Sequence, residues 1–363
     1  MNLFIKTGIL LGILMILNPV DLCAQDSPQK PKNVILMIGD GMGLSQVSSP
    51  YFFSKEKPAF NRFTEIGLIR TSSATAPITQ SPAAATAMAT GRKTYNMAIG
   101  VGLDSLPRRN ITEILEKRGY MTGVIATSSI TDATPAGFYA HQSNRDLHHE
   151  IAMDLVKSGI DFFAGGGIRH FIDTTGIDYF KTNNIEVNYS TLKKIRNPEP
   201  GRRYGFLLSA DRMPAMLEGR GDFLWDASRI GMDYLGSGEG GYFLMIEGSQ
   251  IDWAGHANKV EYMTSEMNDF NRVINQVLDA ARRDGETLVI VTADHETGGF
   301  TLGAEGRNGY DADYSKISPS FATTNHSAAL VPLFAFGPGA EQFRGIYENT
   351  EIFSKLVGLL RKK

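Results

Sequence analysis

Six short, almost unbroken apolar runs punctuate the chain: NVILMIG (33–39), MTGVIAT (121–127), IDFFAGG (160–166), GYFLMIEG (241–248), TLVIVTAD (287–294) and LVPLFAFG (330–337). Runs of this length without polar alternation are what strands covered on both faces look like. Between them, segments such as NITEILEKRG and EMNDFNRVINQVLDAARRDG repeat apolar residues at helical spacing. Strands of that kind alternating with amphipathic helices predict an α/β fold, a three-layer αβα sandwich around a large, mostly parallel central sheet. No internal repeat or low-complexity run breaks the pattern. LKKIRNPEPGRRYG (192–205) reads as an exposed connection and residues 301–325 as a loop-rich excursion.

With 363 residues there is length for a large core, and a single domain over 25–363 is expected. Composition changes the picture little: 42% of residues are hydrophobic, 21% are charged and the net charge is only −3. That balance leaves no electrostatic footprint for nucleic acid or an anionic membrane surface, so any bound anion must be held locally. The first 24 residues stand apart, because Lys6 precedes GILLGILMIL and DLCAQ ends in small residues, the layout of a cleaved secretory signal. The apolar run is shorter than the roughly 20 residues of a bilayer span, so no stable membrane anchor is expected. A periplasmic or secreted protein is therefore predicted. Cys23 is the only cysteine, so the mature chain has no disulfide and relies on its core and on bound metal.

Three of the apolar runs end in an acid: Asp40 after VILMIG, Glu247 after YFLMI and Asp294 after LVIVTA. Ligand sites in open parallel sheets gather at the carboxyl ends of the strands, and three acids meeting there would repel one another unless cations sat between them. Taken singly each could be a cap or turn residue, Asp40 in GDGMG above all. Asp252 and His256 in EGSQIDWAGHAN are four residues apart and share a face if the stretch is helical. With Asp294, His295 and His326 they make a mixed oxygen and nitrogen donor set suited to zinc. The remaining histidines read differently: His148 and His149 lie on a polar helical stretch, His170 in a loop, and His141 is a packed residue or a group behind the ligands. TAPITQSPAAATAMATGRKT supplies a nucleophile in Ser81, which the following Pro82, the small helix formers and the terminating Gly91 make an N-cap. A hydroxyl there also sits where backbone amides favour a bound phosphate, and beside zinc it could ionise and attack phosphorus. Thr79 is the alternative nucleophile in the same stretch.

IGDGMG, SPAAATAMATGRKTYNMAIGV, TDATPAGFYAHQSNR, EGSQIDWAGH, TADHETGG and TTNHSA follow one another between residues 33 and 338. Through these blocks the chain resembles the alkaline phosphatase family. The resemblance implies that Asp252, His256 and His326 hold one Zn2+, that Asp40, Asp294 and His295 hold a second, and that Asp40, Thr134 and Glu247 hold a Mg2+, with Asp40 bridging. It implies Ser81 as nucleophile and Arg145 as the guanidinium that grips the non-bridging phosphate oxygens, a bidentate task lysine performs less well. The reaction so implied is hydrolysis of small-molecule phosphate monoesters to alcohol and inorganic phosphate, through a phosphoserine and with overall retention at phosphorus. Phosphodiesterases and other phosphoryl-transfer members of the same superfamily are the alternative. Three positions depart from the family pattern. Gln80 replaces an aspartate that helps orient the arginine, so Arg145 is expected to be held more loosely. Pro82 replaces an alanine, and Trp253 replaces a common lysine or histidine, offering the leaving group an aromatic wall. The short interval between His295 and His326 is read as a reduced surface insertion that shrinks or removes a dimer contact; a homodimer is left open.

Overall fold

The computed structural model describes residues 30–172, 179–199, 201–306 and 311–360; the expected signal segment, 1–24, lies outside them. In chain order the first strands are β1 (Asn33–Gly39), β2 (Glu65–Arg70), β3 (Met121–Ser129), β4 (Phe162–Gly166), β5 (Ile185–Asn188), β6 (Arg203–Leu207) and β7 (Tyr242–Gly248). They are followed by β8 (Thr287–Thr292), β9 (Glu296–Thr297), β10 (Phe300–Glu305), β11 (Asp313–Phe321), β12 (His326–Ser327), β13 (Val331–Phe336) and β14 (Gly345–Glu348). Ten of these form one sheet in the order β14, β2, β13, β8, β1, β7, β3, β4, β6, β5. Every pairing in it is parallel except the two made by β13, so the sheet is mostly parallel, as expected.

The centre is fixed by hydrophobicity. Every residue of β1, β7 and β8 is buried, and each fully buried aliphatic side chain contributes about 1.5–3 kcal/mol. Strands buried on both faces need cover on both. In chain order the helices are α1 (Leu44–Ser48), α2 (Pro50–Phe53), α3 (Ser81–Thr90), α4 (Ile111–Glu116), α5 (Ala133–Ala136) and α6 (His148–Lys157). The later ones are α7 (Phe223–Leu235), α8 (Gln250–Ala257), α9 (Val260–Asp284) and α10 (Thr350–Leu359). One group joins α3 to α5 and α10, and another joins α9 to α7, α8 and β8. Along α9, Met263, Met267, Phe270, Ile274, Val277 and Ala281 are buried at alternating four- and three-residue intervals, the stripe of an amphipathic helix. Every residue of α3 is buried, and its alanines let neighbouring elements approach closely on all sides.

Two expectations need correction. Residues 301–325 are not mainly loop: β10 and β11 pair antiparallel into a separate hairpin, with Phe300 opposite Phe321 and their rings 4.9 Å apart. The alternation of half-buried and exposed positions in DYSKISPSF is that of a strand, but its polar residues and Pro319 hide it; a proline is tolerated because this ribbon has free edges. Ser81 is the first residue of α3, not its cap, and Gln80, extended at φ −108°, takes the cap position. The exposed connection expected over 192–205 holds in part: 192–199 carries no regular structure, but Arg203 opens β6, in which Tyr204 and Gly205 are buried.

The segment before α7 is tied down by a buried ion cluster. Arg220 donates to Glu266 and, at 3.0 Å, to Asp269 on α9, and all three side chains are at most 2% exposed. Met216 N donates to the other Glu266 oxygen at 2.8 Å. Removing the guanidinium leaves two buried carboxylates without their cation, so Arg220→Met is expected to cost about 3–5 kcal/mol. Urea unfolding at an unchanged m value would read this as a lower midpoint.

Candidate active site

Parallel pairing brings the three acids together. Gly39 is level with Gly248 and Ile38 with Glu247 across β1 and β7, while Ile38 is level with Thr292 across β1 and β8. Asp40, Glu247 and Asp294 therefore leave the same edge of three adjacent strands. Gly41 follows at φ 71°, and a Cβ there would come within 2.9 Å of the Asp252 backbone. Only glycine lets the β1 turn sit this close to α8. The Gly41 amide donates to Asp294 Oδ1 at 3.1 Å, and the His295 amide donates to the same oxygen at 2.9 Å. The second oxygen of Asp294 is left buried without a hydrogen-bond partner, as is Asp40 Oδ1.

Both unpartnered oxygens face the His295 ring, whose Nε2 lies 3.0 Å from Asp294 Oδ2 and 3.5 Å from Asp40 Oδ1. The same nitrogen is 3.2 Å from Ser81 Oγ, at the start of α3. Asp40 Oδ2 accepts from Thr134 Oγ1 at 3.3 Å, so one carboxylate looks two ways, towards His295 and towards α5. Helix α8 does put Asp252 and His256 on one face, with His256 Nε2 3.3 Å from Asp252 Oδ2. His326 Nε2 is 3.1 Å from His256 Nε2 and 3.5 Å from Asp252 Oδ1. The opposite nitrogens are engaged by backbone: His256 Nδ1 with Thr324 O at 2.6 Å, and His326 Nδ1 with Thr79 O at 2.8 Å. Both rings are thereby turned so that Nε2 faces the cluster, the usual way a protein aims an imidazole at a metal.

One pocket is lined by Asp40, Ser81, Thr134, Arg145, Glu247, Asp252, His256 and His326, together with Trp253. Asp294 and His295 are fully buried beside it. All ten residues expected from the sequence thus meet in one place. Thr79 does not line this pocket, and its hydroxyl donates to Gln80 O at 3.1 Å. Arg145 is not loosely held: its guanidinium donates to Asp132 Oδ1 at 2.8 Å and its backbone N to Met97 O at 2.9 Å. Asp132, which also accepts from Ala133 N at the start of α5, thus takes up the arginine where Gln80 offers no charge. Thr297 had no signal in the sequence, yet its hydroxyl donates to Asp252 Oδ1 at 2.5 Å and stands 3.2 Å from His295 Nδ1. It ties the two halves of the cluster together.

The donor chemistry fits divalent cations. Asp252, His256 and His326 offer ligand atoms all within 4.8 Å of one another, as do Asp40, Asp252 and His295. Burial, and then Asp294, Asp252 and Glu247, raise the Asp40 pKa well above the usual carboxylate range. Burial above all raises Glu247 to about 8. Carboxylates crowded this way stay ionised at neutral pH only with positive charge among them. In the metal-free protein part of that charge is a proton on His256, whose bond to Asp252 raises it to about 9.

Comparison with known proteins points to one family. The family model described as alkaline phosphatase matches residues 31–189 and 207–316. Alkaline phosphatase 3 of Bacillus subtilis (strain 168) is 31% identical over 414 residues, covering 91% of this chain and 89% of that protein. The structure of alkaline phosphatase from the Antarctic bacterium TAB5 superposes with a TM-score of 0.89 at 48% identity, covering 93% of this chain and all of that one. That from a psychrophilic Shewanella species gives 0.82 at 27% identity over 91% of this chain. The chain belongs to the alkaline phosphatase family and is a phosphatase with that family's α/β fold.

A cation entering beside Asp252 must displace the His256 proton. Zn2+ binding at pH 7.5 is therefore expected to release protons, and affinity to weaken as pH falls below about 9. Calorimetry in buffers of different ionisation enthalpy checks this: an observed heat independent of the buffer would contradict it.

Proposed function

We propose that the protein is an exported, metal-dependent phosphomonoesterase that works through a phosphoserine on Ser81. The observation that carries the reading is the placement of Ser81 Oγ at the start of a buried helix, 3.2 Å from His295 Nε2 and in one pocket with Arg145. Asp252, His256 and His326 would hold one Zn2+, Asp40, Asp294 and His295 a second, and Asp40, Thr134 and Glu247 a Mg2+. Bound there, the cations would lower the pKa of a hydroxyl or water and neutralise charge on transferring phosphate. The structure of a TAB5 alkaline phosphatase variant with Mg bound in its M3 site supports magnesium as one of the ions.

The chain's own groups then divide the work. Arg145, braced by Asp132, presents two parallel N–H donors to the non-bridging oxygens and aligns phosphorus with Ser81 Oγ. The amides at the start of α3 add partial positive charge to the same spot. In the first step the Ser81 Oγ–P bond forms and the bond from phosphorus to the ester oxygen breaks, and the proton given up by the Ser81 hydroxyl ends on that oxygen, which leaves as the alcohol. In the second, a water oxygen attacks phosphorus, Ser81 regains its hydroxyl and inorganic phosphate departs. Two inversions give net retention. The apolar N-terminal segment preceded by Lys6 supports export to the periplasm or beyond. No helix among the described residues is long and apolar enough to cross a membrane.

Ser81→Ala is expected to keep the fold and bound metal while losing on the order of 10³-fold or more in kcat. Arg145→Lys is expected to lose roughly 10²-fold in kcat/KM, since the fork geometry goes while the charge stays. Assays of p-nitrophenyl phosphate and its diester before and after chelation, with metals quantified by mass spectrometry, test the whole reading. Wild-type turnover in Ser81→Ala would refute the nucleophile, and faster turnover of the diester would move the protein to the phosphodiesterases.

A further inference from the structure

Beyond Arg145 the pocket continues into a second recess that shares Asp132, Arg145 and Trp253 with it. The far wall of that recess plays no part in the chemistry above. There the rings of His148 and His170 stack with centroids 4.6 Å apart and planes 24° apart. His148 begins α6, and its Nδ1 lies 3.3 Å from Thr131 Oγ1. His170 closes a short turn after Gly167, whose φ of 99° and close approach to Ser129 exclude a larger residue. Opposite in sequence but lining the same recess, Trp253 carries the Arg212 guanidinium 5.5 Å from its ring centroid. Two aromatic surfaces from separate segments therefore border one space.

Charge decides what that space can take. Arg145 is paired with Asp132 at 2.8 Å, Arg169 with Asp211 at 3.0 Å and Arg212 with Glu218 at 3.5 Å, while Asp146 adds a further carboxylate to the lining. Each of these guanidinium groups already faces a carboxylate, so a second anion in the recess would have to compete for it. Burial, with His148 and Arg169 close by, lowers His170 to about 4, so its ring is neutral in neutral and alkaline solution. An anionic substituent would lose water there and meet the Asp132, Asp146 and Asp211 carboxylates beside those cations. An uncharged planar ring would gain stacking area on surfaces already held in place.

We propose that this recess is a leaving-group subsite for phosphate monoesters whose alcohol carries an uncharged planar ring, bordered by the Trp253 indole and the His148–His170 imidazole pair. Trp253 follows Asp252 directly and lines both cavities, so an alcohol leaving the Ser81 pocket on that side meets its indole. The proposal rests on the phosphomonoesterase reading and adds to it the class of substrate.

The test uses the metal-loaded enzyme as wild type, Trp253→Leu, His170→Ala and His170→Phe. Substrates are 1-naphthyl phosphate, adenosine 5′-monophosphate, ethyl phosphate and a sugar bisphosphate. The ratio of kcat/KM for a ring-bearing ester to that for ethyl phosphate is expected to fall about five- to twentyfold in Trp253→Leu and His170→Ala. In His170→Phe, which keeps a planar face and loses the nitrogens, it should stay within about twofold of wild type. A fall with naphthyl phosphate places the ring next to the ester oxygen, and a fall with the nucleotide alone places it one sugar further out. Unchanged ratios for both probes, or a wild type that prefers the bisphosphate, would overturn the subsite while leaving the phosphatase reading intact. A wild type that hydrolyses none of the esters would overturn both.

Discussion

Mutual repulsion among buried carboxylates is the constraint on which this structure turns. Asp40, Glu247 and Asp294 are each at most 6% exposed, and the parallel register of β1 with its two neighbours leaves them no other place to go. Desolvation alone would drive such groups to their neutral forms. The fold spends its backbone donors on one oxygen of Asp294 and leaves the facing oxygens of Asp294 and Asp40 unpartnered. An arrangement that is costly by itself would become favourable once positive charge entered, so a cation bound there would add its binding energy to the stability of the fold.

Around that centre the protein invests in orientation. Backbone carbonyls of Thr79 and Thr324 aim two imidazoles, Thr297 links Asp252 to His295, and Asp132 braces Arg145. The small β9 and β12 pair sets His326 level with Thr297, so the hydroxyl that joins the two halves also sits beside the third histidine. Helix α3 is buried on every side, which fixes the serine at its start without any side-chain cap. Preorganisation of this kind is where electrostatic catalysis gets its effect, because the dipoles need not move when charge develops.

Much of this was legible in the chain, for identifiable reasons. Strands buried on both faces announce themselves as apolar runs, and an acid at the end of such a run marks the sheet edge where ligands bind. The four-residue gap between Asp252 and His256 carried its own geometry once the stretch was helical. Less legible were features that depend on partners distant in sequence. Nothing local marks Thr297 as a tie between ligands or Asp132 as the support of Arg145, since both roles arise only when loops from different strands meet. The β10–β11 hairpin was missed because polar side chains and Pro319 mask its alternation, and the cap of α3 was off by one residue because serine before proline so often takes that position. His170, read as a loop residue, acquires its neighbour His148 only through the turn at Gly167.

The amide of Gly41 and the carboxylate of Asp294 are joined across 253 residues, and His326 lies further still along the chain. Asp40 and His326 stand 286 positions apart (326 − 40), so no short fragment contains all of these groups. The centre is therefore a property of the completed sheet: the register of β1 against β7 and β8 must close long stretches of chain before these groups stand side by side.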